Sequence, residues 1–224
     1  MRRETCLIKL IGGGFDRHGE TFDSHRKLPH KEQTGAITFV TMRLADSMPL
    51  EVVQQWHDDI ENWLKKNGLA GSRVEDVLNS RTVSPRLKTE LRRFKNRRWH
   101  QRLDNCHGEC TLNRHDCRAE VCKSILHFNG DRYDLESFVV SPITHILIQM
   151  RAEYFLRKQF REIQRFSARK INWLLGRSGR FWQGEPFDHI VRNAEQLERF
   201  HRYIAENPER AGLSPSQYTY WSYR

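Results

Sequence analysis

The chain has 224 residues, with 38 Lys plus Arg against 28 Asp plus Glu, a formal charge of +10, and 38% hydrophobic content. That is enough for one large domain, or one domain with a helical insertion, and for a sizeable core; the basic excess favours a polyanionic partner. No run of about 20 apolar residues occurs, which argues against a membrane partner, and the opening MRRETCLIKLIGGG is too short in its apolar part for a signal peptide, so a cytoplasmic protein with free thiols is expected.

Residues 1–33 read as a loose basic extension with Gly and His. A strand follows at Ala36 to Leu44, rich in β-branched and aromatic residues. Ser47 and Pro49 then open a helix with an apolar stripe of Val53, Trp56, Ile60, Trp63 and Leu64, closed by Asn67 and Gly68. Pro85 opens a second helix carrying Leu87, Leu91, Phe94, Trp99 and Leu103, and a cysteine-bearing helix is predicted at about Asn113 to Phe128. These last two are assigned to a helical insertion, about 75–128, within one domain at 34–213. Strands at Tyr133 to Val140 and His145 to Met150 flank a Ser141-Pro142 turn and form an antiparallel pair. An arginine-rich helix, an extended piece at Phe187 to Arg192 and a final helix complete the domain. The tail at 214–224, SPSQYTYWSYR, has two open readings: its rings stack on unpaired bases, or they pin the C-terminus to the core. Helices packed on one side of an antiparallel sheet make an α+β fold.

Cys106, Cys110, Cys117 and Cys122, with His107 and His115, have spacings of three, six and four intervening residues and lack the paired C-x-x-C knuckles of a zinc site. Scattered thiols are the expected outcome. Gly12 to Gly14 leads into FDRHGE rather than a helix and so lacks the context of a phosphate loop.

In the arginine-rich segment Arg157, Arg161, Arg165 and Arg169 recur every four residues, with Lys158 and Lys170 alongside and Glu162 as the one acid among them. Phe160, Ile163, Phe166, Ile171 and Leu174 supply its apolar side. Charges at helical spacing usually form a solvated face; here like-charge repulsion calls for a counter-anion. With Arg177 they form the candidate DNA-binding set.

The last helix starts at Asn193, an N-cap with Gln196 at N3, and is expected to stop at Pro208 near Asn207. Leu197, Phe200 and Ile204 make its stripe, and Tyr203 and Asn207 share a face beside it. Taken alone, that is an ordinary boundary tyrosine with its hydroxyl in water.

Several blocks in order give this pair another meaning. LPHKEQTGAITFVTMRLADSMP, HFNGDRYDLESFVVSP, FSARKINWLLGRSGRFWQ, FDHIVR and RYIAENPERAGL, together spanning nearly all of the chain from Lys27, resemble the REP-associated tyrosine transposases, members of the HUH single-strand nucleases. The resemblance implies a ferredoxin-like sheet, a single-stranded or hairpin DNA partner, no small-molecule cofactor, and a Mg²⁺ or Mn²⁺ ion. It also implies that Tyr203 attacks a DNA phosphodiester and that Asn207 is the helix-borne metal ligand.

The family's two metal histidines sit in a block reading Met-Pro-Asn-His-x-His, whereas this chain reads SPITHILI from Ser141 to Ile148. Aligned without a gap, Thr144 and Ile146 occupy the histidine positions, and His145 lies between them, pointing to the other side of the strand. Thr144 offers a hydroxyl, and His145 could act as a ligand only through a slip or bulge. The expectation is a weak or absent metal site, impaired cleavage, and, as the alternative, a DNA-binding protein without catalysis.

Overall fold

The computed structural model describes residues 15–16, 22–25, 29–104 and 108–223, and the structural statements below concern these. The chain divides into two compact units, Met1–Ala45 with Cys110–Arg224, and Asp46–Glu109.

In the first unit a hairpin, β1 (Phe22–His25) and β2 (Pro29–Glu32), precedes β3 (Ile37–Arg43). Part of the extension read as loose is therefore paired strand; the remainder of 1–33 lies outside the described residues. Glu32 helps tie the hairpin to the core: its Oε1 accepts the backbone N–H of Leu156 at 2.5 Å, and burial raises its pKa.

The second unit holds α1 (Leu50–Lys66), α2 (Val74–Asn79) and α3 (Pro85–Asp104). Pro49 and Pro85 stand where a helix start leaves an N–H unpaired, and Gly68 takes the positive φ, 73°, that follows the end of α1. Ile60, Leu64, Val77 and Leu91 form its core, with the Trp63 and Phe94 rings stacked at 5.9 Å. The two ends of this unit meet: the backbone N–H of Glu109 donates to Asp46 Oδ2 at 2.9 Å, and a side chain at Gly108 would collide with the Asp46 carboxylate.

Back in the first unit follow α4 (His115–Leu126), β4 (Tyr133–Val140), β5 (Ile143–Met150), α5 (Leu156–Leu174), β6 (Phe187–Ile190), α6 (Ala194–Arg210) and β7 (Thr219–Ser222). The sheet order is β6-β3-β5-β4-β7, each neighbour antiparallel. Its first four strands, with α4 between β3 and β4 and α5 between β5 and β6, have the ferredoxin-like connection.

Strand alternation gives the sheet two buried faces. Val40, Met42, Phe138, Ile146 and Ile148 pack with Val121 and Ile125 of α4 and Phe160, Ile163 and Ile171 of α5. Phe39, Val139 and Leu147 pack on the opposite side with Leu197 and Ile204 of α6. One-sided helix packing thus holds for the ferredoxin-like core, while the tyrosine helix covers the other face. The α+β reading stands.

Two further placements differ from those the sequence predicts, and the tail takes one of its two open readings. The cysteine-bearing α4 belongs to the sheet unit because its apolar positions, Cys117, Val121 and Ile125, are fully covered there. Pro208 lies inside α6, which continues to Arg210. The tail adds an edge strand: Trp221 stacks on Phe138 at 5.4 Å, so core packing is the reading the structure favours. Arg118, 2% exposed, holds this segment, donating to the carbonyls of Leu112, Asn113 and Ser216 at 2.9, 2.7 and 2.5 Å and to Thr219 Oγ1 at 3.4 Å. Cys110 is disulfide-bonded, contrary to the expectation of free thiols, whereas Cys117 and Cys122 are free. Cys106 and His107 lie outside the described residues. Among the described residues no helix is long and apolar enough to cross a membrane.

Candidate functional site

The N-cap of α6 forms as the sequence predicts. Asn193 Oδ1 accepts the Gln196 N–H at 2.8 Å, and Gln196 Oε1 reaches back to the N–H of Arg192 at 2.8 Å. This fixes where the helix begins and hence which residues face the sheet. Leu197 and Ile204 are buried against it, and Tyr203 and Asn207 lie half-buried at the margin.

Asn207 Nδ2 donates to the Tyr203 hydroxyl at a long 3.5 Å. Beneath them, the Tyr203 ring meets the His145 imidazole edge-on at 5.1 Å and the Phe39 ring at 5.9 Å. Phe39 in turn stacks on His145 at 5.5 Å and on Phe200 at 4.3 Å. His145 is 2% exposed; its Nδ1 pairs with Thr41 Oγ1 at 3.0 Å, and its Nε2 is buried with no hydrogen-bond partner among the described residues. Burial, aided by the charge of Arg43, pushes its pKa down to about 3, so the ring is neutral at physiological pH.

His145 points away from the face of Thr144 and Ile146, as the pleat requires, but the tyrosine is on His145's side. Thr144 pairs with Met42 and Ile146 with Val40, both in the core beneath α4 and α5, and Thr144 is 0% exposed. The gapless alignment therefore directs the two histidine positions away from Tyr203. Thr144 thus lies buried on the face of the sheet opposite Tyr203. On β5 the positions that face α6 are His145 and Leu147.

Beside this cluster, Ser137 Oγ pairs with His201 Nδ1 at 3.0 Å, and His201 Nε2 lies 3.8 Å from Glu136 Oε2. Ser137 is fully buried, so the trio joins α6 to the sheet and is closed to substrate. It sits where the β4–β5 register shifts between Leu135 and Ser137, a bulge with no sequence signal beyond the run of mixed residues. Thr41 and Phe39 are the contacts that sequence reasoning missed; their alternation along β3 places both on the α6 side.

The basic residues are elsewhere. Arg157, Arg161, Arg165, Arg169 and Lys170 are exposed on α5, across the sheet from Tyr203. None has a carboxylate partner among the described residues, because Arg132 takes Glu162 at 2.9 Å. Arg177, beyond the helix end, is engaged with Thr111 Oγ1 at 3.4 Å and lies over the Phe181 ring at 5.8 Å, apart from the row.

No family model matches this chain, and no curated protein matches it. A solved structure of a REP-associated tyrosine transposase bound to a REP hairpin is similar over 86% of this chain and 76% of that one, with a TM-score of 0.41 and 16% identity.

The buried imidazole has a measurable consequence. The folded state holds no proton on His145 at pH values where the unfolded chain, with an ordinary histidine pKa near 6.5, binds one. Stability is then greatest above about pH 6.5 and falls as pH drops from there toward 3, by up to about 1.4 kcal/mol per pH unit for one proton. His189, also held below its usual value by burial and by Arg192, adds in the same direction. Urea unfolding of the wild type and His145→Gln at pH 7 and pH 5 should show a clearly smaller loss in the variant.

Proposed function

We propose that this chain is a transposase-type protein that binds single-stranded or hairpin DNA and whose strand cleavage by Tyr203 is weakened or lost. The observation that carries the reading is the pairing of Tyr203 with Asn207 one helical turn on, both half-exposed, directly above a buried histidine. In the reaction Tyr203 Oη would bond to phosphorus while the leaving strand departs as a hydroxyl. An amide donating to that oxygen favours the phenolate.

The surroundings supply little else. A base with a pKa of about 3 accepts a phenolic proton poorly at neutral pH. A divalent cation would polarise the phosphate, but the donors at hand are one neutral imidazole and one neutral amide. Among the described residues no three His, Cys, Asp or Glu side chains gather into a ligand set. That does not fit Mg²⁺ or Mn²⁺, which take oxygen-rich and usually anionic ligands. Binding is independent of these groups, since the arginine row neutralises phosphates by charge alone.

Titration with hairpin DNA at increasing salt, beside a cleavage assay with Mn²⁺ or Mg²⁺ and a Tyr203→Phe control, tests both halves. Each phosphate neutralised on a single strand contributes a slope of about −0.7 in log K against log salt, so a row meeting four phosphates gives roughly −3. Any covalent adduct should map to Tyr203 and vanish in Tyr203→Phe. Absent or salt-independent binding would sink the DNA reading, and efficient cutting by the wild type would sink the impaired site.

A further inference from the structure

We propose that the outer face of α5 is a single-stranded DNA platform, on which unpaired bases stack against Trp173 and Phe166 while the neighbouring arginines hold the phosphates. This rests on the DNA-binding reading above and names the contact residues for it. Trp173 is 78% exposed and Phe166 44%, although α5 has a full buried side in Leu156, Phe160, Ile163 and Ile171. Two large rings left in water on a helix with a complete core face are costly unless something covers them.

Their placement fits a strand of unpaired nucleotides. Seven residues turn through about 700°, so the rings lie in line, about 10 Å apart along the helix axis. Arg169 and Lys170 fall between them, and the Arg165 guanidinium lies over the Phe166 ring at 5.1 Å. Aromatic faces flanked by cations suit bases alternating with phosphates, whereas a duplex offers no free base face. The cations are available, because the acid on this helix is taken by Arg132. An acidic peptide would match the charges but leave the rings without a flat partner.

The platform lies across the sheet from Tyr203, so variants here leave the tyrosine's surroundings untouched. The test is fluorescence anisotropy with four labelled probes: oligo-dT, an abasic oligonucleotide of the same length, oligo-rU and polyglutamate. Wild type, Trp173→Ala, Trp173→Phe, Phe166→Ala and the pair Arg165→Gln with Arg169→Gln are compared, with circular dichroism as the check on folding.

Trp173→Ala and Phe166→Ala should each weaken oligo-dT binding about 5- to 100-fold with an unchanged salt slope, and Trp173→Phe should recover most of it. On the abasic probe wild type and Trp173→Ala should bind alike. The arginine pair should make the salt slope shallower by roughly 1.4. The platform is overturned if Trp173→Ala binds oligo-dT like wild type, if it loses as much on the abasic probe, or if polyglutamate binds as tightly. Tighter binding of oligo-rU than oligo-dT would overturn the choice of DNA. No binding to any DNA sinks the DNA reading itself. Binding that ignores Trp173 sinks only the platform.

Discussion

Replacing Thr144 and Ile146 together by His is expected to damage the protein without improving catalysis. Both side chains are 0% exposed, and their β3 partners Met42 and Val40 lie in the core shared with α4 and α5. An imidazole there is larger than Thr and, in place of either residue, brings ring nitrogens with no partner. Overpacking costs about 1–3 kcal/mol and an unsatisfied buried polar group about 1–3 kcal/mol. The double variant should thus lose roughly 3–9 kcal/mol, a large part of the roughly 5–15 kcal/mol that holds a typical domain together. Urea unfolding checks the loss, and a cleavage assay with Mn²⁺ should show no gain. A stable variant that cuts better would mean that the sheet faces have been assigned the wrong way round.

Arg118→Met should be comparably severe, for a different reason. The guanidinium is buried, faces three carbonyls and one hydroxyl, and has its pKa lowered by desolvation. Methionine fills most of the volume but leaves the buried Leu112 carbonyl, and the part-buried acceptors on Asn113, Ser216 and Thr219, without this donor. By analogy with breaking a buried charged network the expected loss is about 3–5 kcal/mol. Because Ser216 and Thr219 are among the partners, it should be concentrated at the tail. Hydrogen exchange at the amides of β7 should accelerate well before those of β5, and limited proteolysis should cut near 214–218. Uniform acceleration across the sheet would show instead that Arg118 supports the fold as a whole.

How far the sequence carried these conclusions depends on the kind of interaction concerned. The cap at Asn193 and Gln196, the Pro49 and Pro85 starts and the Ser141-Pro142 turn are local, and each appears where neighbouring residues dictate. Strand alternation correctly set His145 opposite Thr144. What alternation cannot say is which face a later helix will cover, and that decision separates Tyr203 from the positions aligned to the family's histidines. It also separates the tyrosine from the arginine row, since both lie on amphipathic helices that read alike in one dimension. The Glu136 bulge, the Thr41–His145 pair and the covering of α4 depend on contacts between distant segments. Phe166, placed by its spacing on the apolar side of α5, is 44% exposed for the same reason: a ring at helical spacing looks like core until the core is seen to be complete without it.

The join between Asp46 and Glu109 gives the helical unit a particular standing. Its entrance and exit touch through the hydrogen bond from Glu109 to Asp46, with Gly108 leaving room for the Asp46 carboxylate. Seen from β3 and α4, everything between these residues is formally a long loop whose ends are already closed. Loop length is a weak thermodynamic variable, each doubling costing only about 0.6 kcal/mol, so exchanging the whole unit for a short turn alters closure by about 2–3 kcal/mol. On that accounting α1 to α3 add little to the cost of closing the chain between β3 and α4.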